Sequence, residues 1–188
     1  MDELIDGLKK GDPIAFKKVL EMYKNKIYNY LRLMIHNEQI AEELTQDTFV
    51  KVYFKAKTIR TSNLKAWIYA IATNLARSEF RKRKIKNLFS LSEVNERHFP
   101  YFSSHEDNMV LEQLLAALPE KYRIPVVMKE IDRFSFDEIS KILNKPVGTI
   151  KTLVFRGKDQ LRQNFSQANG FRSVSRGMVK KGVKNEVT

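Results

Sequence analysis

The stretch Ser135–Phe165, SFDEISKILNKPVGTIKTLVFRGKDQLRQNF, carries the sharpest local signal in this 188-residue chain. Ser135 followed three residues later by Glu138 is a capping box. The hydroxyl serves an unpaired backbone N–H of the first turn, and the carboxylate reaches back to the cap. Phe136, Ile139 and Leu143 then make a short apolar face. Asn144-Lys145 breaks the helix, and Pro146 opens the next one, where its missing N–H costs nothing. A helix of about eight residues, a turn of three or four and a longer helix match the helix-turn-helix pattern.

The longer helix divides by face. Ile150, Val154 and Leu161 fall on one side, with Gly157 between them allowing close packing. Thr149, Lys151, Thr152, Phe155, Arg156 and Lys158 lie on or beside the other. A recognition helix reads base edges in the major groove and holds phosphates with Lys and Arg. Phe155 on the solvent side is costly unless covered, and thymine methyl groups are a suitable cover. The competing reading is an amphipathic surface helix with one exposed Phe.

Upstream, Leu111, Leu114, Leu115 and Leu118 share a helix face, and Leu118-Pro119-Glu120 reads as a helix start. Pro125 stands where a helix interior belongs, which predicts a kink or a late start. Residues 86–108 lack sustained 3.6 periodicity and contain Pro100 and a Ser-Ser pair, so they read as a linker. The aromatics Phe89, Phe99, Tyr101 and Phe102 predict that this linker docks on something. Residues 169–188 hold three glycines and few large apolar residues, and the expectation is a disordered basic tail.

The N-terminal block, 1–85, is also helical in pattern. Asp12-Pro13 is a cap with proline at the first helical position. Phe16, Leu20, Tyr23, Ile27, Leu31 and Met34 recur at helical steps, and His36-Asn37 ends the run. A second helix spans about Glu38 to Lys57. The polar Arg60-Thr61-Ser62-Asn63 interrupts, and a third helix starts near Leu64, carries Trp67, Ile71 and Leu75, and reaches a basic end. No run alternates long enough to be a strand. The expected fold is all-α, two small helical domains (1–85 and 109–168) joined by a flexible linker.

Composition narrows the chemistry. The 34 Lys+Arg against 22 Asp+Glu give a formal net charge of +12, which points to a polyanionic partner, nucleic acid first. The charge is +7 over 1–85, −2 over 86–108, +3 over 109–168 and +4 over 169–188. The absence of cysteine excludes a disulfide scaffold, a thiolate zinc site and a cysteine nucleophile. No apolar run reaches bilayer length, and the acidic start MDELIDGLKKGD is not a secretory signal. A cytoplasmic setting is the expectation.

At this point a resemblance is specific enough to name. LPEKYR, FSFDEISKILNKPVGTIK and FRGKDQLR look like the fourth conserved region of bacterial RNA polymerase sigma factors. AEELTQDTFVKVY followed by LKAWIYAIATNLARSEFRKRK looks like the second. With only these two regions and a short linker, the chain resembles the small extracytoplasmic-function sigma factors. The resemblance implies a protein that binds core RNA polymerase, directs it to promoters and helps open DNA, without enzymatic activity, cofactor or small-molecule substrate of its own. Region 2 is expected to grip the polymerase clamp helices and read the −10 element as single strand. Region 4 is expected to bind the flap and read the −35 element as duplex. The family also implies an anti-sigma partner, often membrane-anchored.

Residue by residue, Glu42, Glu43, Gln46, Asp47, Thr48 and Phe49 match the clamp-binding motif. Glu43 and Asp47 stand at i and i+4, and their mutual repulsion suits a basic partner surface. A metal site is disfavoured because no His stands beside them at helical spacing. The loop Arg60, Thr61, Ser62 and Asn63 resembles the specificity loop that holds an extruded base, a role requiring hydrogen-bonding walls and stacking surfaces. Asn74, Arg77, Arg81 and Arg83 match the rest of the −10 reader, Arg77 to Lys84 forming a backbone-binding stripe. Trp67 reads as core packing in preference to base stacking. Leu153 stands where many members carry Arg, and Gly157 where Ala is commoner, so the −35 sequence is not implied. A stand-alone helix-turn-helix regulator is the rival, but it has no use for AEELTQDTF beside a basic helix. A nucleic-acid enzyme is the third reading, and the scattered His36, His98 and His105 form no catalytic constellation.

Overall fold

The computed structural model describes residues 2–89 and 106–181, and their side chains over 2–86 and 111–166. Eight α-helices and one 3-10 turn account for the regular structure of the described residues, with no strand among them. They are α1 (Asp2–Lys10), α2 (Pro13–Ile35), α3 (Glu38–Lys55), α4 (Leu64–Phe89), α5 (Glu106–Ala116), α6 (Glu120–Glu130), α7 (Phe136–Leu143) and α8 (Val147–Lys181).

The punctuation follows the sequence chemistry. The Asp12 carboxylate accepts from Ile14 N and caps α2, with Pro13 at its first position. His36 ends α2 in the left-handed region at φ 52°. Asn37 caps α3 by accepting from Ile40 N. Ser135 and Glu138 form both halves of the capping box, and Asn144 closes α7 at φ 50°.

Helices α2, α3 and α4 pack as a three-helix bundle, with α1 laid against α2 and the 3-10 turn Ala56–Thr58. Val19, Ile27, Leu31, Met34, Val52, Ile68 and Ala72 fill its centre. In the second half α6, α7 and α8 pack around Ile124, Val127, Met128, Ile139, Ile150 and Val154. Gly157 lets α8 close on α6, because a Cβ there would stand 2.6 Å from Val126 Cγ2 and 3.2 Å from Tyr122 Cβ.

Three sequence expectations come out differently. Pro125 lies buried inside α6, five residues past its start, so the helix begins ahead of the proline and forgoes one backbone bond. Helix α8 continues to Lys181 where a disordered tail is expected from 169, and the stretch 169–181 contains no proline to stop it. The flanks of the expected linker are helical, as α4 reaches Phe89 and α5 starts at Glu106. The rest of the linker, Phe99, Tyr101 and Phe102 included, lies outside the described residues, as do 182–188.

The two helical units that the sequence predicts are present, and they pack on each other through one continuous hydrophobic core. The Phe134 ring, 1% exposed, meets the Tyr69 ring edge-on at 4.8 Å between centroids. Arg32 pairs with Glu112 at 2.7 Å, and Arg123 Nη1 donates to Met34 O at 2.5 Å.

Candidate nucleic-acid and polymerase interfaces

On α8 the division by face is as the periodicity predicts. Thr149, Lys151, Thr152, Phe155, Arg156 and Lys158 are all exposed, while Ile150, Val154 and Gly157 are buried. Phe155 is 73% exposed, an apolar ring of this size with little cover among the described residues. Lys151 Nζ stands 5.9 Å from the Phe136 ring centre, and Lys158 pairs with Glu130 at 2.9 Å. Thr152 Oγ1 donates to Gly148 O. Leu153 is half-buried.

On α3, Glu42, Glu43, Gln46 and Asp47 are exposed and form an acidic face. Thr48 and Phe49 are placed differently. Thr48 is fully buried and donates its hydroxyl to Leu44 O at 2.7 Å, and Phe49 is 4% exposed. Both hold α3 against the bundle and offer no side chain to a partner. The residues that sequence reasoning passed over are Val50 and Phe54, 52% and 76% exposed, which carry the Glu43–Asp47 stripe on as an apolar strip. Tyr53, edge-on to Phe16, lies beside it. The signal was available: positions 43, 47, 50 and 54 are one helical stripe.

The loop Arg60-Thr61-Ser62 is exposed and lines an open cleft of about 330 Å³ whose other wall is Asp2, Ile5, Asp6 and Lys9 of α1. Asn63 is drawn inward. Its side-chain oxygen accepts from Ala66 N and so caps α4, and its Nδ2 donates to Glu138 Oε1 at 2.7 Å. Asn74 and Arg81 are exposed and Arg77 is half-buried. Arg83 leaves the stripe: it pairs with Glu79 at 3.0 Å and donates Nη1 to Ile35 O. The α2 terminus thus receives two guanidiniums, Arg83 and Arg123, at carbonyls that the helix leaves unpaired. Trp67 is partly buried against the core, its expected place.

Electrostatics sharpen the junction of the halves. The Asp132 Oδ1 accepts from Tyr69 OH at 2.6 Å, Oδ2 is buried without a partner, and Lys65 Nζ donates to Asp132 O at 2.6 Å. Burial pushes the Asp132 carboxyl up to about 6, against the Tyr69 hydrogen bond and the Lys65 charge, which both lower it. Tyr69 and the nearby Tyr30 are pushed up, chiefly by burial. Glu138 is held below the ordinary range, first by its hydrogen bond to the Ser135 backbone.

A pH dependence follows from Asp132. Its folded-state pKa is raised, so the folded chain holds the proton more tightly than the unfolded one. That contribution is complete below the ordinary 3.8 and is lost as pH rises through about 6. Denaturant unfolding of the wild type and Asp132→Asn at pH 4.5 and 7.5 should show the wild type losing about 2 kcal/mol relative to the variant over this window. A constant difference between the two proteins would contradict the assignment.

Together these features define a two-part, all-helical DNA-binding protein: a helix-turn-helix with an open reading face, joined to a bundle with one acidic and one basic surface. The chain matches the family model for Sigma-70 region 2 over residues 19–85 and that for Sigma-70, region 4 over residues 108–161. It is 34% identical over 174 residues to the ECF RNA polymerase sigma factor SigW of Bacillus subtilis strain 168, covering 85% of this chain and 93% of that protein. The ECF RNA polymerase sigma-E factor of Escherichia coli strain K12 is 25% identical over 173 residues, 84% of this chain and 90% of that one. Among solved structures, the sigma factor RpoE in complex with the anti-sigma factor NepR from Bartonella quintana superposes with a TM-score of 0.70 at 25% identity, over 80% of this chain and 96% of that one. CnrH in complex with the cytosolic domain of CnrY shares the fold, with a TM-score of 0.68 at 18% identity over 87% of this chain and 96% of that one. The chain belongs to the extracytoplasmic-function RNA polymerase sigma factors. It is an alternative sigma factor, which binds core RNA polymerase and directs it to promoters. The reading as a stand-alone regulator is not favoured.

Proposed function

We propose the following division of labour within the chain. Region 4, from 109 to 168, reads the −35 element as duplex through Thr149, Lys151, Thr152, Phe155, Arg156 and Lys158. Region 2, from 1 to 85, reads the −10 element as single strand through Arg60, Thr61, Ser62, Asn63, Asn74, Arg77 and Arg81. Arg83 reaches DNA only if it releases Glu79 and Ile35 O. The linker, 86–108, runs through the polymerase channel. Glu42, Glu43, Gln46 and Asp47 face the clamp helices, with Thr48 and Phe49 supporting them from within. RNA synthesis itself stays with the core enzyme.

The observation that supports this best is the α8 face: six candidate side chains exposed on one side, with Ile150, Val154 and Gly157 buried behind them. An exposed aromatic beside cations suits thymine methyls and phosphates together. The sigma factor RpoE, solved in complex with the anti-sigma factor NepR, supports an anti-sigma partner here as well. A membrane-anchored one would hold this factor at the inner face of the membrane.

Asp47→Ala tests the polymerase face. Asp47 is exposed on α3, so its loss leaves the core of the bundle intact. Affinity for core polymerase should fall about tenfold or more, as for loss of one partner of an interfacial charge pair. The fall should be equal at every promoter. Pull-down of core polymerase and transcription from two unrelated promoters check it. An effect confined to one promoter, with core affinity intact, would reassign Asp47.

A further inference from the structure

The exposed apolar strip of α3 leads into a cleft. Phe54 is 76% exposed, the highest value for any large apolar side chain among the described residues. Its ring forms one wall of an open cleft of about 320 Å³ beside the turn between α1 and α2. Leu8, Phe16, Tyr53 and Ala56 supply the other apolar walls, and Lys10 and Lys57 supply cations. Neither lysine is paired with a carboxylate among the described residues. The Asp12 carboxylate also reaches the cleft, but its Oδ1 is engaged by Ile14 N as the cap of α2. Phe16 meets Tyr53 edge-on at 5.3 Å between centroids, and Tyr53 meets Phe54 edge-on at 5.6 Å. This chain of rings restrains Phe54 before anything binds, so little side-chain freedom remains to be lost. An exposed apolar patch rimmed by charge marks an interaction surface.

The position of the cleft says which partner covers it. Glu43, Asp47, Val50 and Phe54 follow one another at steps of four, three and four, so all lie on one stripe of α3. From Glu43 to Phe54 is about 16 Å along the helix axis. An interface of ordinary size, about 800 Å² on each side, is roughly 30 Å across. A polymerase surface seated on Glu43 and Asp47 therefore reaches Phe54 as well. The charge also reverses along α3. The carboxylates at 43 and 47 give way to Lys51, Lys55 and Lys57, all exposed beside its far end. A partner that answers both ends is basic opposite the carboxylates, and apolar with an acidic neighbour opposite the cleft.

We propose that the cleft between Phe16, Tyr53 and Phe54 is a second anchor for core polymerase. It receives one apolar side chain of the clamp helix that meets Glu43 and Asp47, and Lys10 and Lys57 face a carboxylate beside that side chain. The anchor rests on the assignment of α3 to the clamp, and its test separates the two. Core polymerase is titrated onto the fluorescently labelled full-length chain as wild type, Phe54→Ser, Lys57→Glu and Asp47→Ala. All three positions are exposed, so thermal melts of the variants should match the wild type. Phe54→Ser should weaken binding about thirtyfold, the effect of truncating an aromatic anchor. Lys57→Glu should weaken it about fivefold, by a factor that shrinks as salt is raised. p-Benzoylphenylalanine in place of Phe54 should cross-link to the polymerase subunit that carries the clamp. Wild-type affinity in Phe54→Ser, with Asp47→Ala weakened, overturns the anchor and leaves the acidic face in place. Weakening in Phe54→Ser, with Asp47→Ala unchanged, keeps the anchor and removes the acidic contact. If neither variant loses affinity, the anchor and the assignment of α3 fall together. Light scattering on the free chain checks the other occupant: a dimer that Phe54→Ser dissociates, with core affinity unchanged, would make the patch a contact between two copies and overturn the anchor.

Discussion

Replacing Lys151 and Arg156 together by alanine should reduce transcription from a −35-dependent promoter on the order of a hundredfold. Each lost contact to a base edge is worth about 1–3 kcal/mol, and two such losses on one helix face are expected to accumulate. Both side chains are exposed on α8, while Ile150 and Val154, which anchor that helix, are untouched. The fold should therefore survive, with an unfolding midpoint within a degree or two of wild type. The informative comparison is a pair of templates identical except for a scrambled −35 element. The wild type should favour the intact template strongly, and the double variant should treat the two nearly alike. The salt dependence of promoter binding should also flatten, because fewer counterions are released. An equal loss on both templates would mean that these cations act only on phosphates, and base reading would pass to Thr149, Thr152 and Phe155.

The largest expected loss of stability comes from Arg123→Leu. Its guanidinium donates Nη1 to Met34 O at 2.5 Å and Nη2 to Ala116 O at 2.9 Å and Leu118 O at 2.8 Å. Three segments of chain converge on one planar fork: the end of α2, the end of α5 and the connection to α6. Burial draws its pKa down to about 10, so it stays charged at neutral pH. Removing the fork leaves three carbonyls short of donors in a partly dry setting, for about 3–5 kcal/mol. Calorimetry should record a midpoint lower by roughly 10 °C for a chain of this size. Lysine should not rescue it, because one ammonium cannot reproduce the geometry of the fork. If Arg123→Lys melts with the wild type, the fork is not what matters.

These two arginines mark the boundary of what the residue order makes legible. Arg156 is readable because its neighbours Ile150, Val154 and Leu161 repeat at helical spacing, and a periodicity of 3.6 is a local property of the chain. The caps at Asp12, Asn37 and Ser135 are legible for the same reason, each served by an atom two or three residues away. Arg123 meets Met34 across 89 positions and Asn63 meets Glu138 across 75. No local pattern encodes such a meeting, and two helical blocks with a linker between them read naturally as separate domains. Thr48 and Phe49 fail differently. A motif marks positions that matter but not which way they face, and α3 carries apolar residues nearly all round, so its inward side was ambiguous. Val50 and Phe54 share the stripe of Glu43 and Asp47, and become legible once the acidic pair marks that stripe as the outward one.

The shared core has a consequence for how the chain melts. Residues of both halves, from Ile5 to Val154, belong to one buried cluster, so a cavity opened at the Phe134–Tyr69 contact weakens both halves together, and heating is expected to produce one cooperative transition in place of two.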